Sequence, residues 1–285
     1  MKSLILNNEC KLSLYNNNIV INNDYGEHLE SLDVIDLIII NNKITLSTCL
    51  INELVDKNIS IMINSDSKLP HAYILPLYGS INRFEIINKQ ILWNKEDKTK
   101  ISLAIIKNKI ENQERIIQML FGQKNAYKEY LDNLDENNLT KNEAFVARKY
   151  FYKLFGSNFN RRNYDDIINR KLNYGYAIIA ALITNEIISH GYLTELGINH
   201  KAKTNNLNLT YDIIEPFRPI IDLYVYKTKD VEFNNEYKNS LVQLVYQTVL
   251  YNGKDYSVIN AIKEYVLSIL NSLSNKKRIG YIEII

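Results

Sequence analysis

Apolar residues come in short runs over the first quarter of the chain and at helical spacing over the rest. The early runs are Ser3–Leu6, Lys11–Tyr15, Asn18–Ile21, Ile35–Ile40, Lys43–Leu46 and Ile59–Ile63. They are rich in Ile, Leu and Val and broken by Asn-rich pairs such as Asn16-Asn17 and Asn41-Asn42, which predicts six short strands. One helix, Thr48–Asp56, is expected among them. Strands this short and this close in sequence predict a small β-sandwich or curled sheet. Two of the four prolines fall within Asn64–Gly79, which reads as a linker.

Beyond it the period becomes helical. Ile101, Leu103, Ile105, Ile106, Ile110 and Ile116 repeat near every 3.6 residues and predict one long amphipathic helix over Lys98–Leu120. Further helices are expected at Lys124–Leu134, Lys141–Phe155, Asp165–His190, Tyr211–Tyr226, Tyr237–Leu250 and Tyr256–Leu273. Gly156 and Gly191 stand where helices should stop. The predicted class is therefore α+β: a β-sandwich-like domain over residues 1–75, then a larger all-α domain over residues 76–285.

Composition narrows the function. With 46% hydrophobic residues among 285, the chain can bury a real core, and 9 Gly and 4 Pro exclude collagen-like or disordered behaviour. Two cysteines, Cys10 and Cys49, are too few for a disulfide framework or a zinc ribbon, which fits a reducing cytoplasm. The N-terminus lacks a signal-peptide apolar region, and the run Ala177–Ile188, broken by Asn185 and Glu186, is too short to span a bilayer. No phosphate-binding glycine loop is present, which disfavours a dinucleotide or P-loop enzyme. The formal charge of +2 argues against a nucleic-acid binder until it is divided. Residues 1–75 hold 5 Lys/Arg against 9 Asp/Glu (−4), and the remaining 29 against 23 give +6. The helical part carries the positive surface.

Three places could carry chemistry. Glu143 follows Thr140 by three residues, so it reads first as the acid of a capping box. It also shares a helical face with Ala147, Tyr150 and Leu154, where a carboxylate needs a partner. Of the four histidines, His190 suits a helix C-terminus, and His28 and His71 read as surface residues. His200 lies in a polar loop shortly before Asp212 and Glu215. Those two acids share a face at i,i+3, followed by Pro216 and Pro219, which should kink or end the helix. As first-turn acids they could serve only the helix dipole. Taken together, Glu143, His200 and Glu215, with Asp212 beside them, form an oxygen-rich site with one imidazole, suited to Mg²⁺ or Mn²⁺. Arg148, Lys149, Arg161, Arg162, Arg170, Lys201, Lys203 and Arg218 surround it in sequence and suit phosphate oxygens.

Several motifs extend this reading. They are Leu196-Gly-Ile-Asn-His200, Asn208-Leu-Thr-Tyr-Asp212-Ile-Ile-Glu215-Pro-Phe-Arg218-Pro, Glu143-Ala-Phe-Val-Ala-Arg148-Lys-Tyr-Phe, Asn169-Arg-Lys-Leu-Asn173-Tyr-Gly175-Tyr-Ala-Ile and Leu75-Pro-Leu-Tyr-Gly79. Through them the chain resembles the CRISPR adaptation integrases, the Cas1 endonucleases, and most of all their type II branch. The resemblance implies a metal site at Glu143, His200 and Glu215, with Asp212 as an accessory acid and Asn199 where type II members often carry a second histidine. It implies a β domain that helps form a homodimer, and binding of prespacer and repeat DNA. Two such dimers would be bridged by a dimer of the small second adaptation protein. Type II systems add the RNA-guided effector nuclease and a ring-shaped accessory protein. The activity implied is metal-assisted transesterification that joins prespacer 3′-OH ends to a CRISPR repeat, with endonuclease activity at the same site. A stand-alone metal nuclease on double-stranded or branched DNA, or a non-catalytic DNA-binding scaffold, remain alternatives.

Overall fold

The computed structural model describes residues 2–64, 70–75, 82–200, 202–275 and 277–285. Its first part contains β1 (Lys2–Leu6), β2 (Cys10–Tyr15), β3 (Asn18–Asn23), β4 (Gly26–Ser31), β5 (Ile35–Ile40), β6 (Ile44–Leu46), α1 (Thr48–Asp56), β7 (Ser60–Asn64) and β8 (Pro70–Ile74). These strands form two four-stranded sheets, in the orders β1-β5-β7-β8 and β4-β3-β2-β6. The β2–β3 hairpin turns at Asn16 and Asn17, both at positive φ, as a two-residue turn matched to strand twist requires. All six expected strands and the helix over Thr48–Asp56 are present. The edge strand β4 was not foreseen, because its nearly all-exposed residues show no apolar alternation; β8 was not foreseen either.

The run Ile35–Ile40 is apolar on both sides because β5 serves two cores. Ile38 and Ile40 face the other sheet, packing with Leu12, Ile19 and Ile21 and with Leu50 and Leu54 of α1. Leu37 and Ile39, with Met62 of β7, face the opposite way into the helical core. The expected linker Asn64–Gly79 lies partly outside the described residues, and within it Pro70–Ile74 pairs with β7.

The remainder comprises α2 (Arg83–Ile91), α3 (Lys95–Phe121), α4 (Lys128–Asp132), α5 (Leu139–Phe155), α6 (Ile167–Ser189), α7 (Asn208–Ile213), α8 (Arg218–Lys227), α9 (Asn235–Gln243), β9 (Thr248–Tyr251), β10 (Lys254–Ser257), α10 (Val258–Asn275) and β11 (Ile282–Glu283). This part is not purely helical. The helix expected over Tyr237–Leu250 stops at Gln243, and β9 and β10 turn back through Asn252-Gly253. That Asn-Gly pair is a hairpin signal that the surrounding helical pattern masked. β11 adds to β9, and its backbone is held by α3: Asn108 Nδ2 donates to the Ile282 carbonyl at 2.6 Å, and the Ile282 N–H donates back at 3.0 Å.

Pro216 and Pro219 act as expected from their chemistry. The helix over Tyr211–Tyr226 is broken into α7, a 3₁₀ turn over Glu215–Phe217, and α8, where Pro219 occupies the first turn. The carbonyl of Pro216 accepts from Asn112 Nδ2 of α3 at 3.1 Å, so the break leaves this buried group satisfied. The break also points Glu215 inward, with 5% of the residue exposed.

Candidate active site

Glu143 and Glu215 meet on a residue that sequence patterning did not single out. Lys109, on the buried stripe of α3, places its Nζ 2.6 Å from Glu143 Oε1 and 2.5 Å from Glu215 Oε2. The first contact is a hydrogen bond. The second is a close ion pair that gives this buried carboxylate oxygen its cation. Arg218 Nε donates to the other oxygen, Glu215 Oε1, at 3.0 Å. Burial pushes the Glu215 carboxyl up, but Arg218 and Lys109 outweigh it and hold the group at about 2. The detectable signal was a lysine four residues after Ile105 and seven before Ile116, on the face that these isoleucines bury.

The capping box at the start of α5 is not made. The helix begins at Leu139 with Asn138 before it and no side-chain cap, which frees Glu143 to reach Lys109.

His200 is organised by Asp212. The buried Asp212 carboxylate accepts backbone N–H groups from Ile198 (2.5 Å) and Asn199 (3.1 Å) at Oδ2 and from His200 (3.0 Å) at Oδ1. Its Oδ1 also lies 2.7 Å from His200 Nδ1. In the neutral imidazole this bond places the proton on Nδ1 and leaves Nε2 as the ligating nitrogen. The bond to Asp212 raises the imidazole pKa against the opposing effect of burial, with Glu215 and Glu143 adding smaller contributions in the same direction as Asp212. Gly197 is required by this clamp, because a Cβ there would lie 2.5 Å from the His200 carbonyl oxygen and 2.8 Å from Asp212 Oδ2. From the other side, Gln90 of α2 donates to the carbonyls of Leu193 (2.8 Å) and Leu196 (3.2 Å) and accepts from the Leu193 N–H. The loop bearing His200 is thus held by two side chains, Gln90 and Asp212.

Among the described residues no three His, Cys, Asp or Glu side chains stand ready to coordinate an ion. The structure brings Glu143 and Glu215 together on one ammonium and sets His200 against Asp212. The donor chemistry nevertheless fits a divalent cation. Two carboxylates already share a cation, and an imidazole is held by its Nδ1 with Nε2 left as the ligating nitrogen.

The basic residues divide by what they touch. Arg148, Lys149, Arg162 and Lys203 are exposed, while Arg170 is half-buried beside Phe233, and Lys201 lies outside the described residues. Arg161 and Arg218 have partners within the protein. Arg161 donates to Asn169 and Asn173, and Arg218 is committed to Glu215 and stacked 4.6 Å from the Tyr176 ring centre. Arg218 is thus paired with a carboxylate, whereas the partners of Arg161 are neutral amides that leave its charge in place.

Comparison with known proteins agrees with this architecture. A CRISPR-associated endonuclease Cas1 of Neisseria meningitidis serogroup C is 27% identical over 283 residues, covering 96% of this chain and 93% of that protein. A casposase bound to integration product shares the fold at a TM-score of 0.79 and 22% identity, over 98% of this chain and 92% of the other. A chain of a Cas6-RT-Cas1–Cas2 complex matches at 0.73 and 16% identity, over 97% of this chain and 35% of that one. The family model for CRISPR associated protein Cas1 matches residues 4–232, and the chain belongs to that family.

Proposed function

We propose that this chain is the integrase of a CRISPR adaptation system, of type II, working at a site formed by Glu143, His200 and Glu215. The observation that carries the proposal is the convergence of Glu143 and Glu215 on Lys109, beside an imidazole oriented by Asp212. Acids serving only as helix caps would face solvent at helix ends. Here one is buried and both are paired across different helices.

In the proposed reaction a prespacer 3′-oxygen attacks a phosphodiester at the edge of a repeat. One P–O bond forms and one breaks, and the departing 3′-oxygen takes up a proton. No nucleotide cofactor is needed. Mg²⁺ or Mn²⁺ held by Glu143, Glu215 and His200 Nε2 would supply Lewis-acid polarisation of the attacked phosphate and stabilise the leaving oxygen. The chain itself does the positioning. Asp212 holds the His200 loop and the imidazole, Arg218 keeps Glu215 ionised, and Lys109 holds the two glutamates together until an ion takes its place. Water in place of the 3′-oxygen would make the same site an endonuclease. Exposed Arg148, Lys149, Arg162 and Lys203 would contact DNA phosphates. The likeness to a chain of a Cas1–Cas2 complex and to a DNA-bound casposase supports DNA and the small second adaptation protein as partners of a homodimer. The type II effector nuclease and ring-shaped accessory protein complete the proposed assembly.

The test is joining of a labelled prespacer to a supercoiled, repeat-containing plasmid with the second adaptation protein and Mn²⁺ or Mg²⁺. Wild type should yield labelled plasmid, and Glu143→Ala and His200→Ala should lose at least a hundredfold in rate. Joining by both variants at the wild-type rate would overturn the site.

A further inference from the structure

Arg218 opens α8 with a carboxylate in reach on either side. Glu215 stands three residues before it and Asp222 four residues after, and both spacings bring side chains together on a helix. The guanidinium takes Glu215: Nε donates to Oε1 at 3.0 Å, and among the described residues no ion pair joins it to Asp222. Asp222 is buried all the same, and a buried carboxylate needs a partner. That partner is Tyr176 of α6, whose hydroxyl donates to Asp222 Oδ1. The ring of the same tyrosine lies under the Arg218 guanidinium, whose Cζ is 4.6 Å from the ring centre. Cation and ring attract at that separation. Gly175 permits the approach of the two helices, because a Cβ there would lie 2.4 Å from Ile221 Cγ2 on α8. Arg161, a second guanidinium over this ring at 5.6 Å, is held by Asn169 and Asn173.

We infer that Tyr176 is a positioning residue of the proposed site: its hydroxyl occupies Asp222 and its ring seats the guanidinium, so that Arg218 pairs with Glu215. The inference rests on the proposed function for what Glu215 does, and on the contacts of Tyr176 for how Arg218 is directed. Without the hydroxyl, Asp222 becomes a buried carboxylate lacking its donor, one helical turn from a cation. Pairing Asp222 with Arg218 then offsets the cost of that burial, and Glu215 loses the donor that fixes Oε1. Loss of the group that orients a metal-ligating carboxylate costs about 10–100-fold in metal affinity or activity. Tyr176 thus acts on the reaction through Arg218 and Glu215.

Tyr176→Phe keeps the buried ring and removes only the hydroxyl. Its metal-free crystal structure at pH 8, above the range in which Asp222 takes up its proton, should show Arg218 turned to Asp222. Joining of prespacer to plasmid should slow by about tenfold or more in maximal rate, with KM for prespacer unchanged. Adding Asp222→Asn removes the competing charge, so the double variant should return the guanidinium to Glu215 and recover most of the lost rate. A tyrosine that merely filled space would give no such recovery, since the two losses would add. Arg218 still on Glu215 in Tyr176→Phe overturns the inference whether or not joining proceeds. Where wild type joins prespacer, joining by Tyr176→Phe at the same rate, or a double variant no faster than the single one, overturns it as well. A guanidinium that moves as expected in a protein whose wild type joins no prespacer supports the placement and counts against the integrase reading.

Discussion

Replacing Lys109 by methionine keeps the length of the side chain and removes the charge that touches both glutamates. The magnitude follows from Glu215. Its carboxyl is held at about 2 against an ordinary 4.5, although burial alone would raise it. That shift is worth about 3 kcal/mol of folding stability. Arg218 remains in the variant, but Glu143 and the Oε2 side of Glu215 lose their cation. Removing one partner of a buried pair costs about 3–5 kcal/mol, so a loss near 3 kcal/mol is expected. For a helical unit of this size it should lower the melting temperature by about 6–12 °C. The sign with pH follows too. A depressed carboxyl stabilises the fold above pH 4.5, and that stability is lost as pH falls toward 2, so the gap between wild type and variant should close on acidification. Thermal unfolding with EDTA and with Mn²⁺ is the assay. A divalent cation at about a hundredfold over its Kd returns about 2.7 kcal/mol. Lys109→Met should gain more from Mn²⁺ than wild type, in which the ammonium must first be displaced. Equal metal-free melting temperatures would show that the ammonium does not hold these acids. A variant indifferent to Mn²⁺ would show that they are not a metal site.

Asp212→Ala should lower Mn²⁺ affinity about 10–100-fold by releasing the His200 loop, read by titration calorimetry; affinity equal to wild type would refute the clamp. Gly197→Ala should slow joining and lower the melting temperature, since its Cβ strikes the His200 backbone carbonyl and the buried Asp212 carboxylate; full activity at an unchanged melting temperature would count against that packing. Burial raises the Asp222 carboxyl to about 6, against the Tyr176 hydrogen bond and the charges of Arg161 and Arg218. A raised acid binds its proton more tightly when folded, so it costs stability as pH climbs from 3.8 through 6, by about 3 kcal/mol. The stability of Asp222→Asn relative to wild type should therefore grow between pH 4 and pH 7 in urea unfolding, and a constant difference would contradict the burial effect. Arg148→Ala and Arg162→Ala should each reduce the salt slope of DNA binding by about 1, measured by fluorescence anisotropy; unchanged slopes would remove both from the DNA interface.

Strands with apolar faces, and the long helix α3, were legible because burial imposes a period on the sequence. β4 was not, since an exposed edge strand is held by backbone pairing to β3 and needs no apolar alternation. β9 was misread because Val249 and Tyr251 continue an apolar pattern that a helix and a strand can share over so few residues. The same limit governs the site. Glu143, His200, Asp212 and Glu215 could be found as chemically unusual residues in unusual positions, and the paired prolines marked the break that buries Glu215.

What local pattern could not supply was who meets whom. Thr140-x-x-Glu143 is a sound capping motif, yet Asn138 starts the helix and Lys109, 34 residues away, takes the carboxylate. Arg218 reads as a cation for DNA, and one turn of helix places it on Glu215, where it keeps an acid ionised. In both cases an intramolecular partner in a buried setting outbids water or ligand, because an unpaired buried charge costs more than a surface contact returns. The division of charge along the sequence therefore overstates the DNA-facing surface. Lys109 and Arg218 count toward the +6 of residues 76–285, but both are paired with buried glutamate. Under the proposed function, phosphate contacts would fall to basic residues that remain exposed, Arg148, Lys149, Arg162 and Lys203 among them.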